Sequence, residues 1–262
     1  MHAPHPPHPP RIAIGQLRMH WTIEENMQSI QNAIVLAHSR GASICSFPEL
    51  AITGFHRRIV EHAFPEKIAP EVERLKETCA QLNVAVAVGA PTFEGATRFN
   101  SHLLIDQQGQ LVQAVRKNGL TAPEATFFTA GTARPSATLH GVRCTAVICR
   151  EIEDEEEVMA QLEPGSVNLV FWPGQMRPDP DKPPQDPPAH VVQAQNLARR
   201  LRAFVVQANW PNALNRPEES ANTGRSAVIS DTGELVFRLP EQEPGVAVFT
   251  LGERTHEWHP QA

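Results

Sequence analysis

The chain has no tyrosine in 262 residues, which removes the phenol from the possible acids and electrophiles of any site. Its four cysteines, Cys45, Cys79, Cys144 and Cys149, form no C-x-x-C pair and no disulfide-framework spacing, so reduced thiols in a cytosolic compartment are expected. No block of lysine and arginine accompanies the formal net charge of -6, and Arg57-Arg58 and Arg199-Arg200 are isolated pairs. Nucleic acid and anionic membranes are therefore not expected partners. No apolar run reaches the length of a membrane span, and the N-terminus lacks a charged-then-apolar signal, which points to a cytoplasmic protein. Ser226 follows Thr223-Gly-Arg, not a Gly-x-Ser-x-Gly elbow, and Gly89 and Gly95 make no phosphate loop. His140 and His190 have no second ligand at metal spacing, so no metal is expected.

What is present reads as alternating strands and helices. Residues 1–10, His and Pro apart from Met1 and Ala3, have nothing to pack and are expected to be a disordered tail. Its His2, His5 and His8 make a poor preformed metal site. Residues 11–262 are expected to be one domain. The strand Arg11–Leu17 leads to Thr22-Ile-Glu-Glu25, the S/T-x-x-E form of a capping box. The helix it starts carries Ile23, Met27, Ile30, Ile34 and Ala37 on one face and ends at Gly41. Ser43–Phe47 follows as a strand, and this β-α-β order predicts parallel neighbours.

A helix is predicted over Glu71–Leu82, with Cys79 as a core contact, then a strand over Val84–Val88. A hairpin of Phe99–Asp106 with Gln110–Arg116 turns at Gln107-Gln-Gly109, so the sheet is mixed. Further strands are predicted at Val142–Cys149, Val167–Trp172, Phe204–Ala208, Ser226–Ser230, Glu234–Arg238 and Val246–Leu251. Helices are predicted at Glu155–Leu162 and Ala189–Arg202, and seven of the 24 prolines mark Pro173–Pro188 as a long loop. The acidic residues Glu153, Asp154 and Glu155 read as carboxylates favoured at a helix N-terminus.

Three polar residues leave apolar strands in a way a core does not need: Glu49, Lys117 and Cys149. Cys149 ends the run Val142-Arg-Cys-Thr-Ala-Val-Ile-Cys149, which then turns acidic within two residues. Either it is a strand-end core thiol or it faces a site. Glu49 and Lys117 are open in the same way. Either Lys117 is a solvated strand terminus and Glu49 a helix-entry charge, or their strand ends converge and each supplies the partner that burial of the other demands. Cys144, an odd offset from Cys149, is expected to point to the opposite face and into the core.

The segments Phe47-Pro-Glu49-Leu-x-x-Thr-Gly54-Phe, Arg116-Lys117 followed by Glu124-x-x-x-Phe128-x-x-Gly131, and Val147-Ile-Cys149 resemble the carbon-nitrogen hydrolase (nitrilase) superfamily in order and spacing. Gly165, Pro173, Asn209 and Gly224-Arg-Ser226 through Asp231-Thr-Gly233 extend the resemblance across Arg11–Leu251. The resemblance implies an α/β fold, a four-layer α-β-β-α sandwich with mixed sheets, assembled as a homodimer or larger. It also implies a cofactor-free mechanism in which Cys149 is the nucleophile, Glu49 the general base and Lys117 the oxyanion donor. The backbone N–H of Arg150 would be the second donor, and Glu124 would position Lys117 and the substrate.

The implied reaction is hydrolysis of a small amide or N-carbamoyl compound through a thioester, releasing ammonia. The alternatives are nitrile hydrolysis and a catalytically silent binding or regulatory homologue. The amide is preferred because true nitrilases usually carry Trp after the cysteine, where this chain has Arg150. Phe55, Arg57, Trp172 and Trp210 are candidate substrate contacts, with Arg57 or Arg150 as the candidate for a substrate carboxylate. The chain departs from the family's usual residues at Arg150, at Gly119 where His is common, and at Arg200 where Glu is usual.

Overall fold

In the computed structural model, residues 9–178, 181, 183 and 185–261 are described. Residues 1–8 of the predicted tail, with its three histidines, lie outside them, as does part of the Pro173–Pro188 segment. The elements are β1 (Arg11–Gln16), α1 (Ile23–Ser39), β2 (Ile44–Ser46), α2 (Ile59–His62), α3 (Pro65–Leu82), β3 (Ala85–Glu94), β4 (Thr97–Ile105), β5 (Leu111–Arg116) and α4 (Ala122–Ala125). The second half adds β6 (Ala137–Leu139), β7 (Val142–Ala146), α5 (Glu155–Met159), β8 (Leu169–Gly174), α6 (Ala189–Leu201), β9 (Phe204–Asn209), β10 (Ala227–Ile229), β11 (Leu235–Arg238), β12 (Gly245–Thr250) and β13 (His256–Pro260).

The strands form two mixed sheets, ordered β13-β12-β1-β2-β3-β4-β5 and β11-β10-β9-β8-β7-β6. Apolar side chains from the facing sides, among them Ile12, Ile44, Leu104, Cys144 and Phe171, fill the space between them. On the outer side of the first sheet, α1 and α3 bury Met27, Ile30, Ile34, Leu75 and Cys79 against Ala13, Cys45 and Val86. The second sheet is covered by α6 through Val191, Ala194, Leu197 and Ala198. The result is the four-layer α-β-β-α sandwich.

Local chemistry explains most boundaries. The Thr22 hydroxyl accepts from the Glu25 N–H, and Gly41 takes φ +77 just past α1. Strands β1 and β2 pair in parallel, as the β-α-β order predicts. Several of the differences lie at proline or at a turn. Helix α3 begins at Pro65, six residues before the predicted start, because Pro65 occupies the first helical position and Pro70 interrupts the pattern that includes buried Ile68. Strand β3 runs on to Glu94 and turns through Gly95 into β4, a hairpin missed behind Pro91. Strand β8 likewise includes Pro173 and Gly174. The predicted Glu155–Leu162 helix stops at Met159. Strand β7 stops at Ala146, and Cys149–Glu153 forms a 3-10 turn instead of continuing the strand. Cys144 is core, but the reason is its place in β7 and not an alternation that reaches Cys149.

Candidate active site

Three strand ends deliver the polar residues to one place. Glu49 follows β2 on a loop that crosses β3 at Gly89. A Cβ built there would lie 2.1 Å from the Leu50 nitrogen and 2.6 Å from the Pro48 oxygen. Leu50 adopts φ +51, and the Glu49 carbonyl accepts from the Trp210 indole at 2.9 Å. The side chain of Glu49 is fully buried; Oε1 accepts from Lys117 Nζ at 2.7 Å and Asn100 Nδ2 at 2.8 Å. Its Oε2 has no partner among the described residues.

Lys117 follows β5, pinned by its N–H to the Asn100 carbonyl and by its carbonyl to the Gly131 N–H, both at 2.8 Å. Its ammonium sits between Glu49 Oε1 and Glu124 Oε1, 2.7 Å from each. The second oxygen of Glu124 accepts from the Thr121 N–H and hydroxyl, both at 2.9 Å, so one carboxylate caps α4 and holds the lysine. Thr121-Ala-Pro-Glu124 is itself the capping-box signature, a signal in the sequence that went unread. Asn100 was also missed; its amide nitrogen donates to both Glu49 and Glu124.

Cys149 opens its 3-10 turn at φ +56, a left-handed conformation rare outside glycine, and so presents its side chain at the tip of the turn. Gly174 permits the approach: a Cβ there would lie 3.2 Å from the Cys149 Cα. The Trp172 indole donates to the Cys149 carbonyl at 3.0 Å, and Sγ lies 3.7 Å from Met176 Sδ. Trp172 and Trp210, expected as pocket walls, are 0% and 1% exposed and instead clamp the backbones of Cys149 and Glu49. A buried indole needs an acceptor for its N–H, and those carbonyls supply it. The Arg150 guanidinium pairs with Asp154 at 3.2 Å one turn on.

The electrostatics separate the roles. Burial raises Glu49 above the ordinary carboxylate range although Lys117 opposes it. Burial also works against the charge of Lys117, but Glu49, Cys149 and Glu124 outweigh it and keep the ammonium protonated. Glu124 is desolvated too, yet Lys117 and Thr121 hold it below its usual value. Burial raises the Cys149 thiol and Glu49 adds to this, while Lys117 pulls it back. The resting site is thus a neutral thiol beside a carboxylate with unusual proton affinity and a fixed cation.

Glu151, two residues after the thiol, has a role that its place in an acidic run concealed. It is buried, and it accepts from the N–H groups of Ile148 (2.6 Å), Asn118 (2.6 Å) and Gly119 (3.1 Å). Arg134, absent from the sequence reading, forks onto it with both bonds at 3.1 Å and donates to the Ala146 carbonyl at 2.6 Å. One carboxylate therefore joins the loop after Lys117 to the turn that carries Cys149. Beside Glu124, a cavity of about 250 Å³ is lined by residues including Phe55, Arg57, Phe127 and Phe128. Among the described residues, no group of three or more His, Cys, Asp or Glu is placed to hold a metal ion, and no helix is long and apolar enough to cross a membrane.

A buried Glu-Lys pair converging on a cysteine turn within this sandwich defines a class of hydrolytic scaffold. The model of the carbon-nitrogen hydrolase family matches residues 11–260, and the chain belongs to that family. An aliphatic nitrilase from Rhodococcus rhodochrous is 26% identical over 267 residues, covering 90% of this chain and 73% of the nitrilase. A glutamine-dependent NAD(+) synthetase from Synechocystis sp. is 22% identical over 262 residues, covering 91% of this chain, which spans only 46% of the synthetase. Among solved structures, an amidase from Nesterenkonia sp. has the same fold at a TM-score of 0.78 and 23% identity, over 93% of this chain and 90% of the amidase.

Proposed function

We propose that this protein hydrolyses a small amide or N-carbamoyl compound through a Cys149 thioester, releasing ammonia. The observation that carries the proposal is the Lys117 ammonium held 2.7 Å from both Glu49 and Glu124 in a buried site whose charges act on Cys149. Glu49 takes the thiol proton as Sγ attacks the amide carbon. Lys117 Nζ and the Arg150 N–H stabilise the oxyanion, a contribution of about 10² to 10³ in rate per donor. As the adduct collapses, the C–N bond breaks and Glu49 returns the proton to the leaving ammonia. Water then attacks the thioester with Glu49 again as base, giving the acid and restoring the thiol. Glu124 contacts no reacting atom in this scheme; it orients Lys117.

The raised proton affinity of Glu49 suits a group that accepts and returns a proton. Support for the amide comes from relatives: a mutant of the Nesterenkonia amidase has been solved in complex with butyramide, and Arg150 stands where true nitrilases usually carry Trp. The same reading includes a cytoplasmic homodimer or larger assembly, checked by light scattering. The test is an ammonia-release screen across amides, N-carbamoyl compounds and nitriles. Release from amides, lost in Cys149→Ala together with the thioester seen by mass spectrometry, is the expected result. Release that persists in Cys149→Ala sinks the mechanism, and turnover of nitriles alone reassigns the substrate.

A further inference from the structure

The cavity beside Glu124 has an unlike lining. It meets Leu50 and Glu124, the neighbours of Glu49 and Lys117, and Phe55, Phe127 and Phe128. Phe127 and Phe128 meet edge to face at 4.9 Å, and Arg98 stacks on Phe127 at 4.8 Å, so this wall is braced. Arg57 stands on the lining, its backbone N–H fixed by Asn215 Oδ1 at 2.8 Å.

Arg57 differs from the other arginines on the loops around the site. Arg58 pairs with Glu61, Arg150 with Asp154, Arg177 and Arg216 with Glu219, Arg225 with Glu241 and Arg238 with Asp186. Arg57 has no carboxylate partner among the described residues. The neighbouring His56 is held neutral, its pKa lowered to about 4 by burial and by His62, which leaves Arg57 as the cation of this cavity. Behind the lining, Glu49 and Glu124 share the single charge of Lys117. An anionic group is repelled by these carboxylates and drawn to Arg57.

We infer that this cavity is a subsite for a substrate carboxylate: the compound hydrolysed is the monoamide of a short-chain dicarboxylic acid, its apolar spacer against the phenylalanines and its carboxylate on Arg57. The inference rests on the amide-hydrolysis reading for its chemistry, but binding at the subsite is measurable without turnover. The electrostatic asymmetry orients the molecule, amide toward Lys117 and carboxylate outward. Arg150 is excluded from this task by its pairing with Asp154.

The test compares glutaric acid monoamide with butyramide in the wild-type protein, Arg57→Gln and Arg57→Lys. The ratio of kcat/KM values, carboxylated over neutral, is expected to fall about ten- to a hundredfold in Arg57→Gln, mostly through KM, and to recover partly in Arg57→Lys. In parallel, calorimetry on Cys149→Ala and on Cys149→Ala with Arg57→Gln reads the Kd of the monoamide, which is expected to weaken by a similar factor. An unchanged ratio with an unchanged Kd overturns the subsite and leaves the amidase reading standing. No turnover of either amide, with Arg57-dependent binding intact, overturns the amidase reading and upholds the subsite. Absence of both binding and turnover overturns the two together.

Discussion

At the scale of single residues, the site is a balance of three buried charges and one neutral thiol. Lys117 is 1% exposed and Glu49 fully buried, so neither charge is tolerable without the other. Lys117→Met leaves Glu49 and Glu124 facing each other without their cation, and breaking such a buried arrangement costs about 3 to 5 kcal/mol. Urea denaturation is expected to show a loss of that size, together with loss of turnover. Lys117→Arg, with its broader fork, is expected to fold better and still turn over poorly. The thiol gives a second expectation with a definite sign. Burial and then Glu49 raise its pKa, so removing the Glu49 charge lowers it. In Glu49→Gln, the pH midpoint for alkylation of Cys149 by iodoacetamide is expected to move to lower pH even as catalysis fails. A midpoint that stays put or rises shows that Glu49 does not act on the thiol.

Elements place these residues through close approaches at two glycines, and at Gly89 no side chain fits. The Glu49 loop lies on β3 at Gly89, and the Cys149 turn lies on the end of β8 at Gly174. Gly89→Ala puts a methyl against backbone atoms that have nowhere to move, and the expected result is a displaced Glu49 and a fall in kcat of about a hundredfold, the effect of a misplacement of about 1 Å. Gly95→Ala is the control: it changes the glycine of the turn between β3 and β4, at φ +58, but meets nothing within 4 Å. It is expected to cost about 1 to 2 kcal/mol of stability through backbone strain and to leave kcat alone. Much of this level was readable beforehand. The 3.6-residue pattern from Ile23 to Ala37 and the parallel pairing of β1 with β2 needed only local chemistry. The turn at Cys149 did not. Val147 and Ile148 continue a β-branched run, so nothing local announces that the backbone leaves the strand and turns left-handed at the cysteine.

At the scale of the whole molecule, the site exists only because two sheets meet in one register. Glu49 and Lys117 leave strands of the first sheet, while Cys149 follows a strand of the second. The convergence of Glu49 and Lys117 was one of two readings that the residues left open, and the family resemblance favoured it. Their supports were not legible, because the Trp210 indole reaches the Glu49 carbonyl across 161 residues and no periodicity encodes that. The role of Glu151 was hidden for a related reason: the residue matches an acidic position of the family, but only the fold brings Arg134 and the Asn118 and Gly119 N–H groups to it. Its position gives it a role that Glu49, Lys117 and Cys149 cannot perform for themselves. It ties the loop after Lys117, in the first sheet, to the turn of Cys149, in the second. Glu151→Gln is expected to lower kcat with little change in KM, because the thiol and the ammonium lose their fixed separation while the cavity walls stay in place. The same change strands the Arg134 charge and lowers stability, so stability alone does not separate positioning from folding. The double variant Glu151→Gln with Arg134→Gln removes the stranded charge. It is expected to regain part of the denaturation midpoint and none of the kcat. Recovery of kcat along with stability would make the pair a support for folding and nothing more.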